Sequence, residues 1–502
     1  MLKASLRNPQ LYVILAGALY ACLAYFLANA PMQDLPNHLV RSSIISDLLF
    51  DHGEIFGRMF ILEPTFTPYL AGDLLLCELE RWFGMLWACR LWLAAAVLSL
   101  PVAVHFVLRI HQVSRLTALA GALLAFYVAT DWFFTMGFLN YKLATSVALF
   151  AYGWSVRALD ASRLRPYIWY VVLVCVGYAM HLSALVFIIA IVGTSVGLKF
   201  LRGDASLWQA AKLLLPPFLI LSAHFALQQH DATVYATLWG GWESKLRRLG
   251  SSFIRFDREP ELALFVIFLS ASLLPLAARR RQQGWARFDL LVVALTFVAL
   301  FLVMPRESGG VADVDNRALP YALLFLILAG ASVAGASQRL ERAHFALAAV
   351  IACLNLVFLG AVMLPQDRDM GRYRQIARMI PRGASVLPVN TRYPIGRYQP
   401  FVHAGCYATQ EAGALTPYMF TGNWTPAQSY FLYRKRPYNP SGYWYTDSEP
   451  GPAQTRYVDW GQVRQQYDYL LVTLPWDKTR IPISYRIVAS NEVAALLSIG
   501  SP

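Results

Sequence analysis

The sequence predicts a mainly α-helical, polytopic membrane protein with a small α/β domain outside the membrane at its C-terminal end. Of its 502 residues, 57% are hydrophobic and only 15% are charged, whereas about a quarter of the residues in a soluble domain are charged. The mean hydropathy is +0.44. Long apolar runs end near Pro365. We therefore predict a transmembrane domain over residues 1–364 and an extracytoplasmic α/β domain over residues 365–502.

The net charge of +13 is informative through its distribution along the chain. Most Lys and Arg residues lie in short stretches between apolar runs, which is typical of the cytoplasmic loops of membrane proteins. Lys3 and Arg7 precede the first apolar run, and a run of three Arg follows a later one at 279–281. The basic residues thus predict a cytoplasmic N-terminus, a bilayer partner and no nucleic-acid partner.

Eleven apolar segments are predicted to cross the membrane, because a helix of about 20 residues spans a hydrocarbon core of about 30 Å. The stretch 167–201 is predicted to cross twice. Basic residues flank both of its ends, which places both ends in the cytoplasm, and a chain that leaves and returns to the same side crosses an even number of times. The predicted segments are 11–30, 85–108, 116–134, 140–156, 167–201 (two), 207–227, 262–278, 288–304, 319–335 and 345–364.

The first external segment, 31–84, is long and contains a second apolar stretch at 67–83. That stretch carries four charges, which are costly in a lipid-facing helix. We predict that it lies at the interface or re-enters the membrane without crossing. The four charged residues are Asp73, Glu78, Glu80 and Arg81.

The region after residue 365 contains short patterns typical of an α/β domain. Residues 385–389, 469–473 and 485–489 are predicted strands, and 371–380 and 492–497 are predicted helices. Many Trp and Tyr residues lie within 424–460. This aromatic segment is expected either to stack on a sugar and cover a site or to lie at the membrane interface.

The strongest candidate site follows the first apolar run. Asp34 and His38 are four residues apart, so they share one face of a helix, and Arg41 follows one turn later. Pro31 and Pro36 stiffen the chain around them. A membrane enzyme can hold a catalytic base in such a place. The structural alternative is a solvated loop in which Asp34 and Asn37 cap an interfacial helix.

Further polar residues lie near the same predicted outer face. Each has a structural alternative, such as a cap, a surface ion pair or a side chain reaching the interface. Their clustering on one side of the bilayer favours a functional site there. They are Asn140 and Lys142 at the fourth span, His181 within 167–201, Arg306, Asp315 and Arg317 in a late external loop, and His403 in the C-terminal domain.

This layout resembles the GT-C superfamily of membrane glycosyltransferases and is similar in plan to protein mannosyltransferases and aminoarabinose transferases. The shared features are an acidic residue in the first external loop, interfacial helices before the second span, an Arg-bearing late loop and an external C-terminal domain. The motifs PMQDLPNHL (31–39) and GFLNYKLA (137–144) also resemble uncharacterised bacterial membrane proteins.

The resemblance implies a function and a location. It implies transfer of a sugar from a polyprenyl-phosphate-linked donor to an envelope glycan, lipid or protein, at the outer face of the bacterial inner membrane. Asp34 is then the expected base, with His38 as its orienting partner or as a neutral base. Arg317 is expected to hold the donor phosphate, helped by Lys142 and Arg306. Substrate contacts are also expected from Arg41, Asn140, His181, Asp315 and His403.

The resemblance leaves the metal open. Relatives that use a divalent cation tend to carry a second acidic residue near the start of the fourth span, where this chain has Asn140. We therefore expect no metal, with a divalent cation as the alternative.

Two other classes of function remain as alternatives. One is a transporter or flippase of a lipid-linked saccharide, although the sequence shows neither an internal repeat nor ionisable residues at mid-membrane depth. The other is a non-catalytic membrane protein of envelope assembly, in which substitution of Asp34 would leave function intact.

Overall fold

The computed structural model describes most of the chain and confirms a mainly helical membrane protein with a small C-terminal sheet. The described residues are 9–63, 67–160, 164–227, 237–249, 252–256, 259–277, 285–308, 311–334, 337–392, 395–417, 419–420, 432–434, 459–475 and 481–499. Its helices are α1 (Pro9–Phe26), α2 (Leu35–Phe50), α3 (Leu70–Ile110), α4 (Arg115–Ala129), α5 (Trp132–Met136), α6 (Leu139–Asp160), α7 (Leu164–Met180), α8 (Leu182–Leu201), α9 (Leu207–Leu227), α10 (Trp242–Arg248), α11 (Glu259–Ala277), α12 (Trp285–Val303), α13 (Leu319–Ala334), α14 (Gln338–Ala377), α15 (Tyr407–Ala412) and α16 (Trp460–Gln466).

Each apolar segment predicted to cross the membrane contains a helix among its described residues. Within the described residues, seven helices are long and apolar enough to span a bilayer, and three shorter apolar helices accompany them. The one predicted segment outside these ten helices, 140–156, lies in α6. The predicted segment 116–134 is too long by one turn, because α4 ends at Ala129 and Asp131 caps the short helix α5 by accepting the Phe134 N–H.

Two breaks interrupt long apolar stretches of the sequence, one at Gly84 and one at His181. In α3, Gly84 has non-helical backbone angles (φ 75°, ψ 159°), so a kink separates the charged stretch 70–83 from the apolar segment 85–108. The stretch 167–201 forms two helices, α7 and α8, which are separated at His181. This break agrees with the prediction of two short segments.

Helix α14 joins the membrane part to the C-terminal part without interruption. It continues through Pro365 to Ala377, so the predicted helix 371–380 is the end of this longer helix. The division into 1–364 and 365–502 stays a prediction, and its boundary falls inside α14. Beyond the boundary, Asp367 accepts hydrogen bonds from the Asn29 backbone N–H (2.7 Å) and side-chain amide (3.0 Å).

The C-terminal sheet has four strands in the order β2-β4-β6-β5. The strands β2 and β4 are parallel and the other pairs are antiparallel. The three predicted strands are confirmed. The strands of this sheet are β2 (Val386–Val389), β4 (Tyr469–Thr473), β5 (Tyr485–Ser490) and β6 (Ala494–Ile499).

The predicted helix 492–497 is wrong, because these residues lie in the turn before β6 and in β6 itself. The Asn491 side chain accepts the N–H groups of Val493 and Ala494 and forms that turn. Leu496 and Leu497 are both fully buried, in two different apolar clusters. A strand covered on both faces has no alternating pattern, and its continuous apolar run therefore resembled a helix.

The first external segment and the C-terminal part form one packed unit. Strand β1 (Phe60–Leu62) pairs antiparallel with β3 (Leu432–Arg434). One apolar cluster combines side chains from α2, α14 and β6. The Tyr407 hydroxyl donates to Asn29 O at 2.9 Å, and the Tyr398 hydroxyl donates to Pro31 O. The chain entering α2 is therefore held by residues that follow the last apolar helix.

Gly137 allows the closest approach in this region. It has a φ of 86°, and a Cβ placed there would lie 2.5 Å from the Leu35 backbone nitrogen. Only glycine can combine this left-handed conformation with such a contact. The turn between α5 and α6 can thus pack directly against the start of α2.

We expect Gly137→Ala to destabilise the protein more than Gly203→Ala does. Both glycines have positive φ, but a Cβ at Gly203 would meet nothing within 4 Å. The conformation alone should cost about 1–2 kcal/mol, and the clash at Gly137 should add about 1–3 kcal/mol. Thermal unfolding of the two purified variants in detergent measures the difference, and equal losses would contradict the packing argument.

Candidate functional site

Asp34 lies at the N-terminus of α2 but does not cap it. Its backbone N–H donates to Met136 O at 2.8 Å, and its carboxyl group accepts no capping hydrogen bond from the helix. The structural alternative for Asp34, that of a helix cap, is therefore wrong. The carboxyl group faces away from the free N–H groups of α2 and is available to other partners.

The surroundings of Asp34 disfavour its charged form. The residue is only 7% exposed. Burial raises the pKa of Asp34 to about 8, although the Arg317 guanidinium and a hydrogen bond with Gln33 act in the opposite direction. A carboxyl group with such a pKa accepts a proton readily near neutral pH.

Two imidazoles lie near Asp34, and they come from opposite ends of the chain. His403 Nε2 lies 3.5 Å from Asp34 Oδ1. His38 lies in the first turn of α2, which Asp34 precedes. Its backbone N–H donates to Asp34 O at 3.2 Å, whereas its ring Nδ1 has no hydrogen-bond partner among the described residues. Both rings contact Phe420 edge-on, with centroid distances of 5.7 Å for His38 and 5.1 Å for His403. His403, which the sequence suggested only as a substrate contact, therefore lies beside the Asp34 carboxyl group without a hydrogen bond to its Oδ1.

Both imidazoles are neutral. Burial, with the charge of Arg41 and the nearby His403, lowers the pKa of His38 to about 3. Burial also lowers the pKa of His403 to about 4. The site thus contains two uncharged rings, each able to donate one hydrogen bond and accept another.

Arg41 has an acidic partner that the sequence analysis left out of the site. Its guanidinium forms a fully buried ion pair with Asp73 of α3. Asp73 belongs to the charged stretch 67–83, where its cost in an apolar helix was the signal of a buried partner. The positive charge of Arg41 is therefore largely balanced inside the protein.

Arg317 is placed differently, because it pairs with no carboxylate among the described residues. It lies in the short 3-10 turn Asn316–Ala318 and is 8% exposed. Its guanidinium hydrogen-bonds with the Tyr69 hydroxyl and lies 5.4 Å from the centre of the Phe138 ring. The Tyr141 hydroxyl donates to its carbonyl at 2.7 Å. This guanidinium is available to an anion.

Tyr69 and Phe420 contribute to the site, yet the sequence analysis did not identify them. Tyr69 precedes α3 and Phe420 lies near the start of the aromatic segment, and neither occurs in a polar motif. Of the aromatic segment 424–460, only Leu432–Arg434 and residues 459–460 are among the described residues. The two expectations for this segment, that it covers the site or that it lies at the membrane interface, therefore fall mostly outside the described residues.

Asp315 supports the turn that carries Arg317. It is fully buried and accepts hydrogen bonds from the Arg248 guanidinium at 3.1 and 3.2 Å. Lys245 approaches it at 3.5 Å, and Arg248 also pairs with Asp313 at 2.5 Å. We call these four residues the clasp. It fixes α10 to the turn and gives Asp315 a structural role, while the substrate contact expected of Asp315 stays a prediction.

Lys142 and Arg306 do not join the Asp34 cluster. The Lys142 ammonium is fully buried and donates to Asp131 at 2.9 Å and to Val128 O at 2.7 Å. Arg306 is exposed, and its backbone N–H donates to Leu238 O. The help with a phosphate that was expected of these two residues stays a prediction.

Asn140 and His181 lie beside the site and make structural contacts. The Asn140 amide packs against Gly72 of α3. His181 caps α8, since its Nδ1 accepts the Ser183 N–H at 3.1 Å. The His181 ring contacts Tyr69 and Tyr141 edge-on at 5.1 and 5.6 Å. Within the described chain, no group of three or more His, Cys, Asp or Glu is placed to hold a metal ion.

We expect Arg248→Ala to unfold at a lower temperature than Arg247→Ala. Removal of Arg248 leaves the buried Asp315 carboxylate with Lys245 and the Asn316 backbone N–H, which should cost about 2 kcal/mol or more. Arg247 pairs only with Glu243, and both side chains are exposed, so its loss should cost less than about 0.5 kcal/mol. Thermal unfolding measures both variants, and a negligible effect of Arg248→Ala would show that the clasp does not hold the turn.

Comparison with known proteins identifies the fold. No protein-family model matches the chain, and no curated protein matches it. Among solved structures, it is similar to ArnT from Cupriavidus metallidurans in the apo state, with a TM-score of 0.56, 12% identity and 97% of each chain covered. The ArnT structure bound to undecaprenyl phosphate has a TM-score of 0.53 and 12% identity, and the match covers 97% of this chain and 98% of that one. The chain therefore has the fold of ArnT, which confirms the fold implied by the resemblance to GT-C glycosyltransferases.

Proposed function

We propose that this protein is a membrane glycosyltransferase. It transfers a sugar from a polyprenyl-phosphate-linked donor to a hydroxyl group of an envelope glycan, lipid or protein. The observation that carries the proposal is that Asp34 and Arg317 share one buried site. The Asp34 carboxyl group does not cap α2, and the Arg317 guanidinium acts on its charge. Arg317 has no ion pair with a carboxylate among the described residues. The fold supports it, since ArnT is an aminoarabinose transferase of the GT-C type and one of its structures holds undecaprenyl phosphate.

Arg317 binds the donor phosphate. A guanidinium contacts two phosphate oxygens at once and carries a permanent charge. Arg41 and Lys142 are already balanced by Asp73 and Asp131, so Arg317 is the better choice of the three. The Tyr69 hydroxyl, which hydrogen-bonds with the Arg317 guanidinium, can donate or accept a further hydrogen bond beside the phosphate. Arg317 then also stabilises the phosphate as it leaves, when negative charge develops on its oxygen.

Asp34 accepts the proton of the attacking hydroxyl. The acceptor oxygen forms a bond to the anomeric carbon, and the bond from that carbon to the phosphate oxygen breaks. The electron pair of the broken bond leaves with the polyprenyl phosphate, and the hydroxyl proton passes to Asp34. A single displacement inverts the configuration at the anomeric carbon. His38 lines the same site as a neutral polar group.

The reaction takes place at the extracytoplasmic face of the bacterial inner membrane. Basic residues in the short loops between apolar segments support a cytoplasmic N-terminus. With eleven crossings, Asp34, Arg317 and the C-terminal part then lie on the outer side. Residues 365–502 form the extracytoplasmic part and supply His403 to the site formed by residues 1–364.

Asp34→Asn should abolish turnover while leaving the fold intact. Loss of a general base costs about 10²–10⁴-fold in rate. We would incubate purified protein in lipid with a panel of polyprenyl-phosphate sugars and measure consumption of the lipid-linked sugar. Asp51→Asn is the matched control, because Asp51 is exposed at the other end of α2.

Two outcomes would contradict this proposal. Equal turnover by Asp34→Asn and the unmodified protein would remove Asp34 from the reaction. No turnover with any donor, together with protein-dependent movement of the lipid-linked sugar across the bilayer, would favour a transporter.

Arg317→Ala should weaken donor binding and slow the chemical step. A charged hydrogen bond contributes about 1.5–3 kcal/mol, so the donor KM should rise roughly 10- to 100-fold and kcat should fall as well. Arg317→Lys should recover part of the loss, because it restores the charge without the two-point contact. Arg339→Ala, at an exposed position in the first turn of α14, is the control. Unchanged kinetics of Arg317→Ala would refute a phosphate contact.

A further inference from the structure

The imidazole beside the proposed base comes from the C-terminal part of the chain. His403 Nε2 lies 3.5 Å from Asp34 Oδ1, and the two side chains are 8% and 10% exposed. Within the described part of the protein, neither Asp34 Oδ1 nor His403 Nδ1 has a hydrogen-bond partner. A buried polar atom without a partner is costly, and His403 Nε2 is placed to satisfy the carboxyl oxygen after a shift of about 0.5 Å. Such contacts commonly shorten when substrate binds.

Packing holds the His403 ring in this position. The His403 carbonyl accepts the Cys406 N–H at 3.0 Å, at the start of the 3-10 turn Ala404–Cys406. The ring lies edge-on against Phe420. Phe420 is in turn fixed to α2, because its N–H donates to Asn37 Oδ1 at 2.8 Å. The relative position of His403 and Asp34 is therefore determined by the packing of the C-terminal part on α2.

The protonation state of His403 makes it a donor to Asp34. Because burial keeps the ring neutral, it carries a single N–H. Once Asp34 is ionised, its carboxylate favours the form of the ring with hydrogen on Nε2, since an ionised carboxylate only accepts hydrogen bonds. His403 Nδ1 then remains an acceptor.

Resting on the proposed function, we propose that His403 is a positioning residue for the base. Its Nε2–H donates to the Asp34 carboxylate, fixes its orientation and stabilises its ionised form. The reaction therefore depends on the C-terminal part as well as on the membrane helices.

The other groups around Asp34 cannot replace this donor during the reaction. Gln33 is its neighbour in the chain and hydrogen-bonds to the carboxyl group. His38 on α2 is neutral, and Arg41 further along α2 is balanced by Asp73 of α3. Arg317 supports the charge of Asp34 from the turn before α13, but its own charge is balanced once a donor phosphate binds to it. The hydrogen bond from His403 persists at that stage.

The first arm of the test measures the protonation of Asp34 directly. We would titrate the infrared absorption of its protonated carboxyl group, identified as the band that is absent from Asp34→Asn, in full-length protein in lipid. The unmodified protein gives the reference midpoint, which burial of Asp34 should place above the ordinary range of an Asp carboxyl group. Removal of a donor to the carboxylate raises its pKa, so His403→Phe should move the midpoint upward by about one to two units.

Two further variants separate this role from simple packing. His403→Gln should return the midpoint toward that of the unmodified protein, because its amide N–H can donate. His38→Phe should leave the midpoint unchanged, since the His38 ring contacts the same Phe420 ring, while its hydrogen bond to Asp34 joins backbone atoms that the substitution keeps. An unchanged midpoint in His403→Phe overturns the proposal.

The second arm follows turnover against pH. Because Asp34 must be ionised to act as base, kcat/KM should rise as pH increases through its pKa and level off above it. In His403→Phe this rise should move upward together with the infrared midpoint, so that kcat/KM at pH 7 falls about tenfold or more, while the donor KM is unchanged. A uniform loss at every pH overturns the proposal in favour of a structural role. A shifted infrared midpoint in a protein that turns over no donor upholds the pairing but overturns the proposed function.

Discussion

The burial of the Asp34 carboxyl group is the constraint on which this site depends. A carboxylate removed from water loses several kcal/mol of solvation unless its surroundings replace it. A residue at the start of a helix normally recovers part of this loss from the free N–H groups of the first turn, and Asp34 does not. The compensation comes instead from Arg317 and Gln33, and His403 lies 3.5 Å from the carboxyl group. The elements that carry these residues must be brought together by the fold before Asp34 can act as a base.

The other buried charges show how unusual Arg317 is. Arg41 pairs with Asp73, Lys142 with Asp131 and Arg255 with Glu261, and each side chain in these pairs is at most 2% exposed. A buried charge without a partner would be strongly destabilising in a membrane protein, so nearly complete pairing is expected. Arg317 departs from this pattern among the described residues, since its contacts are a phenol, a ring face and a carbonyl. A cation kept in this state is stabilised when an anionic ligand arrives.

The predictable part of the structure follows from local patterns. The apolar segments identified the membrane helices because the length and composition of a span are local properties. Asp34 and Arg317 were identifiable because polar residues next to a span are costly unless they have partners. The identity of those partners was not predictable: Asp73, Tyr69 and His403 approach the site from distant parts of the chain, and no local pattern records which pairs meet. The same limit explains β6, whose two buried faces gave a continuous apolar run without a period.

The C-terminal part is an integral component of the site because of how the chain enters α2. The segment between α1 and α2 is short. Its Asn29 N–H donates to Asp367, and its carbonyl groups accept hydrogen bonds from the Tyr398 and Tyr407 hydroxyls. On the other side, the N–H groups of Gln33 and Asp34 donate to the carbonyl groups of Thr135 and Met136 in α5. Strand β1, which follows α2 in the chain, pairs with β3 of the C-terminal part. A rigid element held from two sides transmits any displacement of either side to its end, where Asp34 lies. The position of the base is therefore a joint property of the membrane helices and the C-terminal sheet, although only the former carry the apolar signal that first identified the protein as a membrane protein.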